Sequence, residues 1–280
     1  MNNLKKIILV LIFLFPISNS FAAMVNFIQK ETFVDSNASV TGIEFNSDGT
    51  KLFTTYTTIP GDEDYHFVNE YNLSSPYDIS TRTYAGDGER CSMGDGTDGT
   101  QHRMFDLEFS SDGMKLFTTV SDAGTNNAVN GDIVYRFDLT SPYDVSTCVY
   151  MNETVNLDDD DLQNESNAGN RTGNHKNNRS QGIEINEDGT KLFLIFHHTT
   201  GSQRLLEYQL TTPYDLDTIE LVTTAGIALG SQGVSNAMGI RFSSNGKRIF
   251  VVSHTNNVEA VTQISLDVAY DTSSFTVDGS

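Results

Sequence analysis

Three glutamates and one arginine hold the same place in four copies of one motif. They are Glu44 in GIEFNSDGTKLF from Gly42, Glu108 in DLEFSSDGMKLF from Asp106, Glu184 in GIEINEDGTKLF from Gly182, and Arg241 in GIRFSSNGKRIF from Gly239. If the fold brings equivalent positions together, three carboxylates and a guanidinium share one confined space. Their mutual repulsion raises at least one carboxylate pKa unless Arg241 or a cation compensates. Two chemistries are open to such a group. One is a buried charge network with Arg241 as structural counter-ion; the other is a calcium ion on hard oxygen ligands, as a metal-dependent hydrolase would hold it.

Other residues offer weaker chemistry. His66, His102, His175, His197, His198 and His254 are potential ligands or proton carriers, yet none sits in a spaced ligand motif of the zinc type. Asp158 and Asp160, in the run Asp158-Asp159-Asp160-Asp161, could offer calcium oxygen ligands, although four consecutive acids equally describe a solvated, self-repelling segment. Tyr65, with Tyr56 and Phe67, could stack on a sugar ring or simply pack. Cys91 and Cys148 are the two cysteines; in an exported chain an even pair suggests a disulfide, provided that their Cα atoms come within bonding range. There is no nucleophile elbow, phosphate loop or Cys-x-x-Cys pair, so no cofactor is called for, and calcium is the one ion the residues would suit.

The elements that must position these residues are short strands. Each copy alternates in the two-residue period of a half-buried strand and is interrupted by Asp48-Gly49, Asp112-Gly113, Asp188-Gly189 or Asn245-Gly246, dipeptides that supply positive φ to a hairpin turn. A second anchor follows each copy: SSPYDIST, TSPYDVST, TTPYDLDT and the degraded DVAYDTSS. In the first repeat, strands are expected at 42–45, 51–57, 68–73 and 81–85, where Pro76 and Asp78 shape the last turn. One four-stranded sheet cannot bury both faces, so tandem copies must pack against each other around an axis. The expected fold is all-β: a β-propeller of about four blades, each a four-stranded antiparallel sheet, with repeats near 41–87, 105–153, 181–226 and 238–280. The segments 30–36 and 273–279 both resemble a fourth strand, and 30–36 is preferred as the latch that completes the last blade.

The F-S-x-D-G-x-K-L-F core resembles the strand–turn–strand unit of TolB-like and YVTN-type bacterial propeller repeats. With the S-P-Y-D-[IV]-S-T turn, it closely resembles uncharacterised propeller-repeat proteins of marine bacteria and their phages. The resemblance runs from Thr41 to the C-terminus and implies the fold. It implies little about activity, because such propellers serve as scaffolds, lectin-like binders and hydrolases.

Blade topology sorts the connections. First-to-second and third-to-fourth strand turns share one face and are uniform. The opposite face collects the variable segments 57–67, 88–104, 121–132 and 155–181, and the six histidines fall on it or at the strand ends that feed it. Variation gathered on one rim of a rigid scaffold marks a binding face. Residues 1–22 read as a signal peptide, with Lys5 and Lys6 before an apolar run from Ile7 to Phe15 and small residues at Ser20 and Ala22. Residues 23–280 are then a single secreted or periplasmic domain with no membrane insertion. Its 15 basic and 37 acidic residues leave a net charge of −22, which excludes nucleic acid as a partner. The expected role is a non-enzymatic module for a glycan, cell-surface or protein ligand. The alternatives are a calcium-dependent, lactonase-like hydrolase with its site at the tunnel mouth, or a purely structural envelope module.

Overall fold

The computed structural model describes residues 39–57, 67–92, 102–122, 133–156, 178–198, 203–222, 225–255 and 258–277, all within the compact unit Glu31–Ser280. Each repeat forms one antiparallel sheet, and the four sheets are the blades of a β-propeller. The first blade is β1 (Ser39–Phe45), β2 (Lys51–Thr57), β3 (Phe67–Leu73), β4 (Arg82–Tyr84) and β5 (Arg90–Ser92). The second is β6 (His102–Phe109), β7 (Lys115–Asp122), β8 (Ile133–Asp138) and β9 (Val149–Asn156). The third is β10 (Asn178–Ile185), β11 (Lys191–His198), β12 (Arg204–Leu210), β13 (Ile219–Leu221) and β14 (Ile227–Ala228). The fourth is β15 (Ala237–Phe242), β16 (Arg248–Thr255), β17 (Val258–Leu266) and β18 (Phe275–Val277). Helix is confined to short 3-10 turns among the described residues, and none is long and apolar enough to cross a membrane.

Two details depart from the sequence pattern. The outer place of the last blade, assigned above to 30–36, is filled by β18, which pairs with β17; segment 30–36, like the signal segment 1–22, lies outside the described residues. The outer strands of the first and third blades are also split. β4 and β5 pair with opposite ends of β3, with 85–89 bulging between them, and β13 and β14 pair with opposite ends of β12.

The two repeated anchors are halves of one clasp. In the hairpin after β1, Gly49 N–H donates to Asn46 C=O (3.0 Å) and only Gly49 takes positive φ (71°). Asp48, expected to share that conformation, keeps an ordinary φ and accepts from Thr50 N–H through Oδ1 (2.9 Å). Gly49 C=O then accepts from Tyr77 N–H (2.8 Å), in the Pro-Tyr-Asp turn. The Tyr77 ring lies so close over the glycine that a Cβ there would sit 2.4 Å from it. Gly113 with Tyr143, Gly189 with Tyr214 and Gly246 with Tyr270 repeat the bond and the ring contact. Each of these tyrosines holds φ between 54° and 59°, a left-handed conformation that is costly for a non-glycine residue and persists because the surroundings over-determine it.

Apolar clusters join successive blades. Phe53, Val68 and Cys91 meet Leu107, Phe109 and Leu116 between the first and second; Phe117 and Val134 meet Ile183 and Leu192 between the second and third; Phe193, Ile195 and Leu205 meet Ile240 and Val251 between the third and fourth. The fourth-to-first junction is thinner. Val252 and Val261 occupy the register places of Ile195 and Leu205, which are fully buried, yet they remain 49% and 66% exposed.

Candidate functional site

The innermost strands β1, β6, β10 and β15 each carry a β-bulge, at 40/42, 104/106, 180/182 and 237/239. The residue after the bulge is Gly42, Asp106, Gly182 or Gly239. Glycine permits close approach here: a Cβ at Gly42 would lie 2.9 Å from the Asp106 Cα, and one at Gly182 3.2 Å from the Gly239 Cα. Two residues further along, Glu44, Glu108, Glu184 and Arg241 converge on the axis.

Arg241 is the hub. One guanidinium nitrogen, Nη1, lies 3.0 Å from Glu184 Oε2 and 3.2 Å from Glu108 Oε2; the other, Nη2, donates to Glu44 Oε2. The same group donates to the carbonyls of Ile183, Ile240 and Ile43, so it stitches the fourth blade to both the third and the first. Glu184 Oε1 also accepts from Phe242 N–H (3.4 Å). Glu108 is worst served, since its Oε2 is buried and makes only the Coulombic approach to Arg241 without a hydrogen bond. The cluster is not sealed, because 37% of the Arg241 side chain remains exposed.

A fifth member, Asp106, was not anticipated, although it is the one copy in which the motif's leading glycine is replaced. Its carboxylate is buried, accepts from Leu107 N–H (3.0 Å) and crosses to Ile183 N–H in the next blade (3.2 Å). Burial pushes Asp106 and Glu184 up to about 7, against the pull of Arg241. Burial raises Glu108 well above the carboxylate range, with the charges of Glu44 and Glu184 adding to it, and burial raises Glu44. Arg241 is held more firmly protonated by the acids around it, despite its own desolvation. Of the four carboxylates around the guanidinium, Asp106 and Glu184 therefore titrate near neutrality. The three glutamates proposed above as calcium ligands have Arg241 between them. Among the described residues they do not form a group whose oxygens lie within one ion's reach of one another.

His254 is exposed on β16; His102 opens β6, and His197 and His198 close β11. His66, His175, Tyr65, Asp158 and Asp160 lie outside the described residues. Cys91 and Cys148 are joined in a disulfide with Cα atoms 5.6 Å apart, tying β5 to the turn before β9.

No protein-family model matches the chain, and no curated protein does. Among solved structures, the chain is similar to a putative 6-phosphogluconolactonase from Bacteroides uniformis at 13% identity, covering 86% of this chain and 55% of that one, with a TM-score of 0.47. A periplasmic gluconolactonase from Pseudomonas aeruginosa is similar at 14% identity, with 86% and 57% covered and a TM-score of 0.48. An endo-arabinase from Bacteroides thetaiotaomicron is similar at 15% identity, with 87% and 80% covered and a TM-score of 0.49. The chain thus spans little more than half the length of the two lactonases, and the blade topology rests on the strand pairings above.

Proposed function

We propose that the protein is an exported, non-enzymatic binding module that takes a glycan, cell-surface or protein ligand on its variable face, while the axial charge cluster holds the ring together. The observation that carries this reading is the contrast between the two faces. On one, every turn is closed by the same glycine–tyrosine clasp. On the other, second-to-third strand connections range from 256–257 to 123–132, and a link between blades runs from 157 to 177. A rigid ring with one uniform and one diversified face is how a scaffold presents loops to a ligand. Arg241 supports the non-enzymatic half, since it fills the axis with ion pairs and carbonyl contacts.

The test is a glycan array and a panel of immobilised polysaccharides, probed with the purified chain and with a variant in which 157–177 is replaced by a Gly-Ser segment of the same length. Binding lost in the variant at an unchanged melting temperature is expected. Turnover of a lactone or aryl glycoside that Glu108→Gln abolishes without unfolding would overturn the reading in favour of an enzyme. One observation favours that second reading: Asp106 and Glu184 are held at about 7, where a carboxyl can trade protons, beside a part-exposed Arg241.

A further inference from the structure

We propose that Glu70, Glu89 and Asp144 form a divalent-cation site of the calcium type between the first and second blades, away from the axis. Each offers one carboxylate oxygen, and these oxygens all lie within 4.8 Å of one another. Two oxygens on opposite sides of a calcium ion, each at about 2.4 Å, are separated by about that distance.

The inference stands on a comparison within the chain. Glu70 and Glu207 hold the same place, on β3 and β12, opposite Phe53 and Phe193 in register. Both are buried, and both give one oxygen to a lysine: Glu70 Oε1 lies 2.8 Å from Lys51 Nζ, and Glu207 Oε1 accepts from Lys191 Nζ at 2.6 Å. Each lysine also donates to the tyrosine carbonyl of the next blade's clasp, Tyr143 or Tyr270. The second oxygens differ. Glu207 Oε2 accepts from both the N–H and the hydroxyl of Thr272, each at 2.8 Å. Beside Glu70 the residue in Thr272's place is Val145 of the second blade, which has no hydroxyl, and Glu70 Oε2 is buried with no hydrogen-bond partner. Glu70 as a whole is 3% exposed. A buried carboxylate oxygen left without a donor is costly, and a cation satisfies it as a donor would.

Asp144 departs from its counterparts in the same direction. Asp78, Asp215 and Asp271 each cap a backbone N–H two residues on, in Ser80, Asp217 and Ser273. Asp144 makes no such backbone cap, and its carboxylate lies instead beside Glu70 and Glu89. Glu89 ends the bulge between β4 and β5, opposite Glu70 on the split outer strand. The Cys91–Cys148 bridge fastens the segments that carry Glu89 and Asp144 to one another, so the site is built on a pinned frame. Three carboxylates against the single charge of Lys51 leave the group net negative. An all-oxygen set with no nitrogen or sulfur ligand suits calcium better than zinc.

The test uses the disulfide-intact chain, stripped with EDTA and titrated with calcium chloride by calorimetry and by thermal melting. One calcium per chain and a melting midpoint raised by several degrees in 1 mM calcium are expected. A combined Glu89→Gln, Asp144→Asn variant should fold in EDTA and bind calcium at least tenfold more weakly. Absence of any calcium heat and melting shift in the unaltered chain would overturn the proposal. So would full calcium binding by the double variant, which would place the ion elsewhere. If the double variant failed to fold, Asp144→Asn alone would decide, read by the same loss of affinity.

Discussion

Replacing Arg241 by methionine keeps the length and apolar stem of the side chain and removes the charge from the axis. Three glutamates and Asp106 then face one another with no counter-ion, and the fourth blade loses its links to Glu44 and to the Ile43 carbonyl, at the junction with the least apolar burial. Breaking a fully buried ion pair costs about 3–5 kcal/mol. Arg241 is 37% exposed, so solvent takes up part of that, and the expected loss at pH 8 is about 2 kcal/mol. For a chain of this size that is a fall in melting midpoint of roughly 4–8 °C. The loss depends on pH, and its sign follows from the carboxylates. Asp106 and Glu184 are raised from 3.8 and 4.5 to about 7 in the folded state. Between those values the folded chain binds more protons than the unfolded one, so these groups make stability fall as pH rises from about 4 to about 7. Without Arg241 their pKa values climb further and the decline extends above pH 7. Melting curves of both proteins from pH 5 to pH 9 should therefore show a gap that is widest at pH 9 and narrows towards pH 5. The chosen range stays above the window in which the turn acids Asp112 and Asp188, whose pKa values are lowered by hydrogen bonds to Ser110 and Thr190, add the opposite slope. A gap below 1 °C, or one that does not change with pH, would refute the assignment of Arg241 as counter-ion.

Three further outcomes are expected. Gly113→Val or Gly189→Val places a branched side chain at φ near 70° and a Cβ 2.3 Å from the Tyr143 or Tyr214 ring, and should cost at least about 2 kcal/mol by chemical denaturation; Gly113→Val combined with Tyr143→Ala should cost less than the sum of the two changes. Val145→Thr gives Glu70 Oε2 the hydroxyl that Thr272 gives Glu207, so in EDTA it should stabilise the chain by about 1 kcal/mol, measured as a higher melting midpoint. Reducing Cys91–Cys148, which closes a 57-residue separation, should lower stability by about 4 kcal/mol on loop-closure grounds, read from denaturation curves with and without dithiothreitol.

Strand content, blade count and turn positions were legible in the sequence because their causes are local. Alternating Leu52-Phe53-Thr54 and its equivalents need only the two-residue pleat, and each Asp-Gly or Asn-Gly step needs only glycine's access to positive φ. The convergence of Glu44, Glu108, Glu184 and Arg241 was also within reach, since equivalent residues of a cyclic repeat must meet at the axis. What the sequence could not decide depends on neighbours distant in the chain. The partnership of each hairpin glycine with a tyrosine 24 to 30 residues away is set by blade folding, which lays the ring against the glycine. Asp106 stood in plain view as an exception to Gly-x-Glu, but its reach to the Ile183 N–H depends on how closely two inner strands pack. Glu70 and Glu207 look alike along the chain, and alternation alone places each on one face of a strand. Whether the second oxygen meets Thr272 or nothing is settled by the residue that the next blade's turn brings alongside, which is a property of blade packing rather than of either strand.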